Sequence, residues 1–470
     1  MFFDLKSFGE MSALFMDNEV WDYSRLFDVS EKIAGTMSPR SLVFLLCRNT
    51  PASIAAYVGF INHGIVPVMI DAALDEDLLA ALLAAYRPTY AWIPAERMAS
   101  FQRGHEILRQ EEYVLLDLSE KRPFPLHAEL ALLMTTSGST GSPKLVRQSY
   151  DNLRANTESI VNYLDIHEDE RGVTNLPLHY VYGLSILNTH LAAGASVVVT
   201  ERTLFDRAFW QIVREHGVTN LGGVPYTYAM LKRLRFFRME LPALRTLTQA
   251  GGKLDPELHR EFAAFAQTHG KQFVVMYGAA EATARMGYLP PQYALKKIGA
   301  MGIAIPGGRF ELVDEAGEEV TAADTVGELV YYGANVTLGY AESGADLARG
   351  DERGGRYETG DLARRDADGY YTVVGRKHRF LKIFGKRTNL QEVEHILRQH
   401  FGEIEVACAG VDDHLYIFVT QEHLALEVVP FLSAKLGLHH SAFAAKCIPC
   451  IPKNASGKTV YRELEQYYDV

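Results

Sequence analysis

Over the first two-thirds of the chain, short apolar runs alternate with stretches whose apolar residues recur every three or four positions. The runs 42–46 (LVFLL), 66–70 (VPVMI), 195–200 (ASVVVT) and 273–276 (FVVM) are short and rich in β-branched or large apolar residues, which predicts buried strands. The stretches 75–86, 150–163 and 206–216 carry helical periodicity. Strands that are apolar throughout and separated by helices imply a largely parallel sheet covered on both faces. The window 55–74 is the most membrane-like, but Asn62, His63, Gly64, Pro67 and Asp71 interrupt it. It predicts a buried helix, a turn and the strand 65–70, not a membrane span.

The pattern changes after Gly299. Short strands at 310–313, 327–332 and 370–374, separated by turns such as Asp368-Gly369, predict a mainly antiparallel subdomain over about 300–377. A basic stretch, GRKHRFLKIFGKR at 375–387, leads into a helix over 389–399, and the residues to 470 suffice for one small α/β unit. The expected fold is therefore α/β. A large N-terminal domain, 1–377, combines parallel α/β sheets with the β-rich subdomain; a small C-terminal domain covers 378–470.

Composition narrows the function. The 470 residues carry a net charge of −11, which argues against general nucleic-acid binding and requires any polyanion to be held by a local cluster of donors. The N-terminal MFFDLKSFGEM has no basic segment leading into an apolar core, so no secretory signal is expected. Four cysteines do not make a disulfide framework and fit a reducing cytoplasm. Cys447 and Cys450 form a lone CxxC without a second pair of ligands, and the default expectation is two buried or inert thiols.

The densest chemistry lies in TTSGSTGSPK, 135–144, directly after the apolar run 130–134. Glycines let the backbone turn N–H groups inward, hydroxyls add donors and Lys144 adds charge, a combination that holds phosphate oxygens. A flexible surface loop has the same composition. A Walker A loop is excluded, since Pro143 stands where its second glycine belongs.

Six further segments follow in order: LPLHYVYG (176–183), MYGAAEAT (276–283), GELVYYGANVTLGY (327–340), YETGDL (357–362), GRKHRFLKIFGKR (375–387) and PKNASGK (452–458). Together the seven resemble the core motifs of the adenylate-forming superfamily, which includes acyl- and aryl-CoA synthetases, luciferases and peptide-synthetase adenylation domains. The resemblance runs from about Trp21 to Leu464. It implies a mobile C-terminal domain and two half-reactions at one site. A carboxylate attacks the α-phosphate of ATP to give acyl-AMP and pyrophosphate, then a thiol displaces AMP.

The resemblance assigns roles to residues. Thr135, Ser137, Gly138, Ser139, Thr140, Gly141 and Lys144 would cradle the β- and γ-phosphates. Glu281 would coordinate Mg²⁺, and Tyr277, with Gly278 and Ala279 after it, would face adenine beside Gly251 and Gly252. Asp361 would accept hydrogen bonds from the ribose hydroxyls, with Arg376 near the same sugar. Lys458 would bridge the attacking carboxylate and the α-phosphate. Gly385 would let pantetheine pass, and His378 would be the hinge, where an imidazole could make domain rotation depend on pH.

Two positions depart from the family pattern. Leu145 replaces the usual glycine after Pro-Lys, which would reduce loop mobility. Ala280 replaces the threonine that donates to the AMP phosphate, with Thr283 nearby in sequence. Such a charge-assisted bond contributes about 1.5–3 kcal/mol. A catalytically reduced nucleotide-binding member is thus an alternative.

The segment around His179 carries no acid to pair with an α-ammonium. His179 would stand at the mouth of an acid pocket lined by Tyr180, Tyr182, Val224, Tyr226 and Tyr228, suited to an aryl or short-to-medium acyl acid. The chain ends soon after Lys458, so the acceptor thiol is expected from outside, as CoA or the phosphopantetheine of a discrete carrier protein.

Overall fold

The computed structural model describes residues 2–101, 104–118, 122–135, 144–377, 379–383, 386–454 and 457–468. The chain divides into two compact units, one of residues 1–310 and 331–357, the other of 311–330 and 358–470.

The first unit is organised by an eight-stranded sheet. Its order is Gly339–Ala341, Leu145–Ser149, Leu130–Thr135, Val66–Asp71, Leu42–Cys47, Tyr90–Pro94, Tyr113–Asp117 and His105–Gln110. The four strands from Leu130–Thr135 to Tyr90–Pro94 are parallel, and the strands flanking them are antiparallel. Parallel central strands need cover on both faces, and every residue of Leu42–Cys47 is buried accordingly. The helix Pro51–Asn62 supplies part of that cover and is itself buried from Ala52 to Ile61. Its Thr50 cap and Pro51 start fix where it begins, and the strand Val66–Asp71 follows one turn later, as the 55–74 window predicts.

A second sheet in this unit has parallel strands Asn220–Gly223, Thr246–Gln249 and Gln272–Tyr277, then antiparallel Gly287–Tyr288 and Ile303–Ala304. A smaller one contains Arg171–Val173, Ser196–Val198, Ser12–Phe15 and Val20–Asp22. The predicted helices form as Glu76–Tyr86, Tyr150–Leu164 and Arg207–Glu215. Asp75 accepts from the amides of Asp77 and Leu78, and a reciprocal Ser149–Asn152 capping box opens the second helix.

The second unit holds most of a sheet ordered Gly308–Val313, Val326–Gly333, Arg356–Arg365 and Tyr371–Arg376. It continues with the hairpin Phe380–Ile383 and Lys386–Asn389 and with a three-stranded sheet, Val406–Val411, His414–Val419 and Phe443–Cys447. The helices Leu390–Phe401 and Glu422–Leu436 pack on the last of these around Val393, Leu397, Ile417, Val428 and Leu432. Cys47 and Cys408 are buried, but Cys447 and Cys450 are both exposed, at and just beyond the end of a strand, so of the expected buried or inert thiols these two are not the buried kind. Among the described residues no helix is long and apolar enough to cross a membrane.

Candidate active site

The strand Leu130–Thr135 leaves the eight-stranded sheet at Thr135, and the chain re-enters it as Leu145–Ser149, with Thr135 paired to Leu145. The glycine-rich segment is therefore the connection between two antiparallel neighbours. Ser137, Gly138, Ser139, Thr140 and Gly141 lie outside the described residues. Leu145 is fully buried and begins the returning strand, which explains an apolar residue at this position.

Register then brings distant motifs together. Gly339–Ala341 pairs with Leu145–Ser149, opposing Tyr340 to Val146. The Lys144 ammonium consequently lies 3.8 Å from the centre of the Tyr340 ring, and the Arg353 guanidinium lies 4.7 Å from it. The Tyr340 hydroxyl donates to Glu281 Oε1 at 2.7 Å. Burial and the Glu281 carboxylate push the Tyr340 phenol up to about 12, so it stays a donor at neutral pH. Lys144 and Glu281, both expected site residues, thus meet through Tyr340. Tyr340 closes a recognised motif, but its place between the two was not legible; Arg353 carried no sequence signal.

The turn bearing Glu281 is clamped from several sides. Its carbonyl accepts from the Thr337 amide and hydroxyl, each at 3.0 Å, and from Arg353 at 3.1 Å. Asn335 donates to the carbonyls of Ala282 and Arg285, and Asn152 to those of Ala334 and Val336. Fully buried Arg147 pairs with Glu352 and donates to the carbonyls of Leu338 and Tyr340. These clamps meet buried backbone groups that water cannot reach. Thr283 has φ +66° and ψ −61°, a costly conformation for a β-branched residue, and its hydroxyl donates to the Asn335 carbonyl at 2.7 Å. That proton is committed to the turn, so Thr283 does not stand in for the threonine missing at 280.

Tyr277 ends the strand Gln272–Tyr277, half-buried, with its ring centre 6.2 Å from that of Phe310. At Gly278 a Cβ would fall 1.8 Å from the Ala284 carbonyl oxygen, so only glycine lets the chain fold back here. Ala279 then leads into the short turn of Glu281. Gly251 has φ +84°, and a Cβ there would fall 2.6 Å from the Tyr180 hydroxyl; at Gly252 it would lie 3.2 Å from the Pro225 ring. The two glycines therefore leave room beside Tyr180 and Pro225.

His179 precedes the helix Val181–Ala192. Asn49 holds this loop, accepting from the Leu178 amide and donating to the carbonyls of Thr174 and Leu176. A Cβ at Gly183 would approach the Pro177 carbonyl oxygen to 2.2 Å, which gives the histidine–glycine spacing a packing reason. His179 Nε2 is 3.7 Å from Asp71 Oδ2, while its Nδ1 is buried without a partner. Burial holds the imidazole below its usual range, with Asp71 opposing. No acid stands near His179 in sequence; the end of a neighbouring strand provides one. Tyr182 and Tyr228 are buried, whereas Tyr226 is 55 % exposed.

In the second unit, Asp361 and Arg376 oppose each other on adjacent strands, and Arg376 Nε meets Asp361 Oδ1 at 3.0 Å. Lys458 is exposed on a tight loop: its amide donates to Asn454 Oδ1 at 2.9 Å, its carbonyl accepts from the Asn454 amide, and Gly457 has φ +76°. His378 and Gly385 lie outside the described residues. No group of three or more His, Cys, Asp or Glu side chains able to hold a metal ion occurs among the described residues.

The profile of the AMP-binding enzyme family matches residues 4–341. The sulfoacetate–CoA ligase of Cupriavidus necator is 32% identical over 302 residues, 64% of this chain and 58% of that protein, so that match spans less than two-thirds of the relative. The indoleacetate–CoA ligase of Aromatoleum aromaticum is 30% identical over 494 residues, 97% of this chain and 95% of that protein. In fold the chain resembles the O-succinylbenzoate coenzyme A synthetase of Bacillus subtilis, solved with ATP and a magnesium ion. The TM-score is 0.78 at 22% identity, covering 98% of this chain and 98% of that one.

Proposed function

The chain belongs to the AMP-binding enzymes, and from that premise we propose how its residues divide the work of an AMP-forming acid–CoA ligase. In the first half-reaction a carboxylate oxygen attacks the α-phosphorus of ATP and pyrophosphate leaves. In the second, a thiol attacks the acyl carbon and AMP leaves. Both steps gather negative charge, so fixed positive groups and hydrogen-bond donors carry most of the burden.

The observation that carries the assignment is the Lys144–Tyr340–Glu281 cluster at the mouth of the 135–145 connection. Lys144 is assigned to the phosphate oxygens. One oxygen of Glu281 accepts from Tyr340, and the other carries no hydrogen bond from a described residue. A single carboxylate with one open oxygen fits a Mg²⁺ ion held mainly by phosphates and water, which when bound would neutralise triphosphate charge. Asp361 and Arg376 are assigned to the ribose, Tyr277, Gly278, Ala279, Gly251 and Gly252 to the adenine side, and Lys458 to the reacting carboxylate and phosphate. In this reading residues 378–470 form the mobile domain, with His378 as hinge and Gly385 beside the pantetheine path. The acid is aryl or short-to-medium acyl, and the setting is the cytoplasm. CoA is the acceptor; the alternative is a discrete carrier protein.

The test is ATP–pyrophosphate exchange across pooled aryl, straight-chain and amino acids, followed by AMP release with CoA or with a phosphopantetheinylated carrier. Acid-dependent exchange that Lys458→Ala abolishes is expected, with CoA the better acceptor. Exchange that persists undiminished in the variant would remove Lys458 from the reaction. Efficient transfer to the carrier with poor CoA turnover would replace the acceptor.

A further inference from the structure

Beside Tyr182 lies a small cavity of about 10 Å³. Ile186, His190, Asn220, Met276 and Arg285 are among its walls. Arg285 is 3% exposed, yet among the described residues no carboxylate lies within ion-pair distance of it. Its guanidinium instead rests on the Tyr182 ring, 3.9 Å from the centre, and its Nε donates to the Met276 sulfur at 3.4 Å. The comparison within the unit is Arg147, which is equally buried and is paired with Glu352.

A buried cation without a counter-ion is costly, and an aromatic face offsets only part of that cost. The main chain at Arg285 is nonetheless held in place, its carbonyl accepting from Asn156 at 2.9 Å and from Asn335 at 2.8 Å. Arg285 also lies four residues beyond Glu281, on the far side of the clamped turn. The cavity has a second unsatisfied group. His190 Nδ1 lies 2.8 Å from the Ile186 carbonyl and donates to it, leaving Nε2 as a buried acceptor without a partner. A guanidinium without a carboxylate partner and an unpartnered imidazole nitrogen thus share a cavity whose other walls include Tyr182, Ile186 and Met276.

We propose that Arg285 is the counter-ion for a second carboxylate on the acid substrate, so that the protein activates dicarboxylic acids at one end while holding the other. This rests on the ligase reading and deepens it. A guanidinium fork matches a carboxylate in two parallel hydrogen bonds and rejects the uncharged analogue by leaving the charge unpaired. The cavity as it stands is about the size of one water, so a carboxylate enters it only as the flexible Met276 side chain yields at its wall.

The experiment compares the straight-chain dicarboxylic acids from succinate to adipate with their monomethyl esters in ATP–pyrophosphate exchange. Wild type, Arg285→Gln and Arg285→Lys are assayed, and melting temperature is measured with the same compounds without ATP. At least one diacid is expected to exceed its ester in kcat/KM by about tenfold or more in wild type. That ratio should fall towards one in Arg285→Gln and recover in part in Arg285→Lys. Wild type that uses esters as well as diacids, or a ratio unchanged in Arg285→Gln, would overturn the proposal. If no acid supports exchange, the melting data decide. Stabilisation of wild type by diacids over esters, lost in Arg285→Gln, keeps the anion site and removes the ligase reading. Equal melting shifts would remove the anion site as well. Should Arg285→Gln fail to fold, the wild-type ratio and the lysine variant carry the same decision.

Discussion

The hydroxyl of Tyr340 donates to the Glu281 carboxylate across 2.7 Å, although 59 residues separate them. The same phenol ring lies 3.8 Å below the Lys144 ammonium. One side chain thereby sets the spacing between the acid assigned to the metal and the cation assigned to the phosphates.

Replacing Tyr340 with Phe keeps the ring under Lys144 and removes only the donor. A hydrogen bond to a charged group contributes about 1.5–3 kcal/mol, so kcat/KM for ATP is expected to fall about 10- to 150-fold. Circular dichroism should show an intact fold. Steady-state kinetics with ATP varied is the check, and a change below about threefold would mean that Glu281 needs no such support.

Ala280 is half-exposed on the turn that carries Glu281, so a larger side chain has room there. Thr283 cannot serve instead, because its hydroxyl is spent on the Asn335 carbonyl. Ala280→Thr is therefore expected to raise acid-dependent pyrophosphate exchange about tenfold or more. An unchanged rate would show that the position no longer faces the reacting phosphate.

His179 is held below its usual range by burial, and Asp71 at 3.7 Å partly counteracts that. Above about pH 6.5 the ring is neutral in folded and unfolded chains alike. Removing the carboxylate in Asp71→Asn should lower the imidazole further, so that protonation begins at a lower pH. The His179 ring resonances in an NMR titration would report this as a downward move of the midpoint. A midpoint that stays in place would show that the two groups are uncoupled.

His190 sits fully buried, and desolvation lowers it from 6.5 to about 4. Its contribution to stability is complete above about pH 6.5 and is lost as pH falls towards 4, because the unfolded chain takes up a proton that the native state refuses. The difference is worth about 3 kcal/mol at full extent. His259 behaves alike, lowered to about 4 by burial. Urea midpoints between pH 7.5 and 4.5 should therefore fall steeply in wild type and less steeply in His190→Gln, which can still donate to the Ile186 carbonyl. Parallel pH dependences in the two proteins would contradict this account.

The alternation of short apolar runs with helical stretches was enough to read strands at 42–46, 66–70 and 273–276, because a strand buried on both faces has no polar positions to blur it. Two edges of the large sheet were less legible. The antiparallel pairs on either side of the parallel centre depend on which strands become neighbours, not on their own composition. Tyr226 and Tyr228 show the same limit from the other direction: two like residues two positions apart read alike, yet the helix Pro225–Arg233 exposes the first and buries the second.

By itself the sequence determined the α/β class, the order of seven motifs and the chemical character of the phosphate-holding stretch. Each of these depends on residue types within a few positions of one another, where covalent connection alone fixes proximity. Only the tertiary structure decided that Tyr340 joins Lys144 to Glu281, that Asp71 faces His179, and that Arg285 is buried without an acid. Those relationships arise from strand register and from which side chains lose contact with water. Such long-range consequences of packing leave no local pattern along the chain.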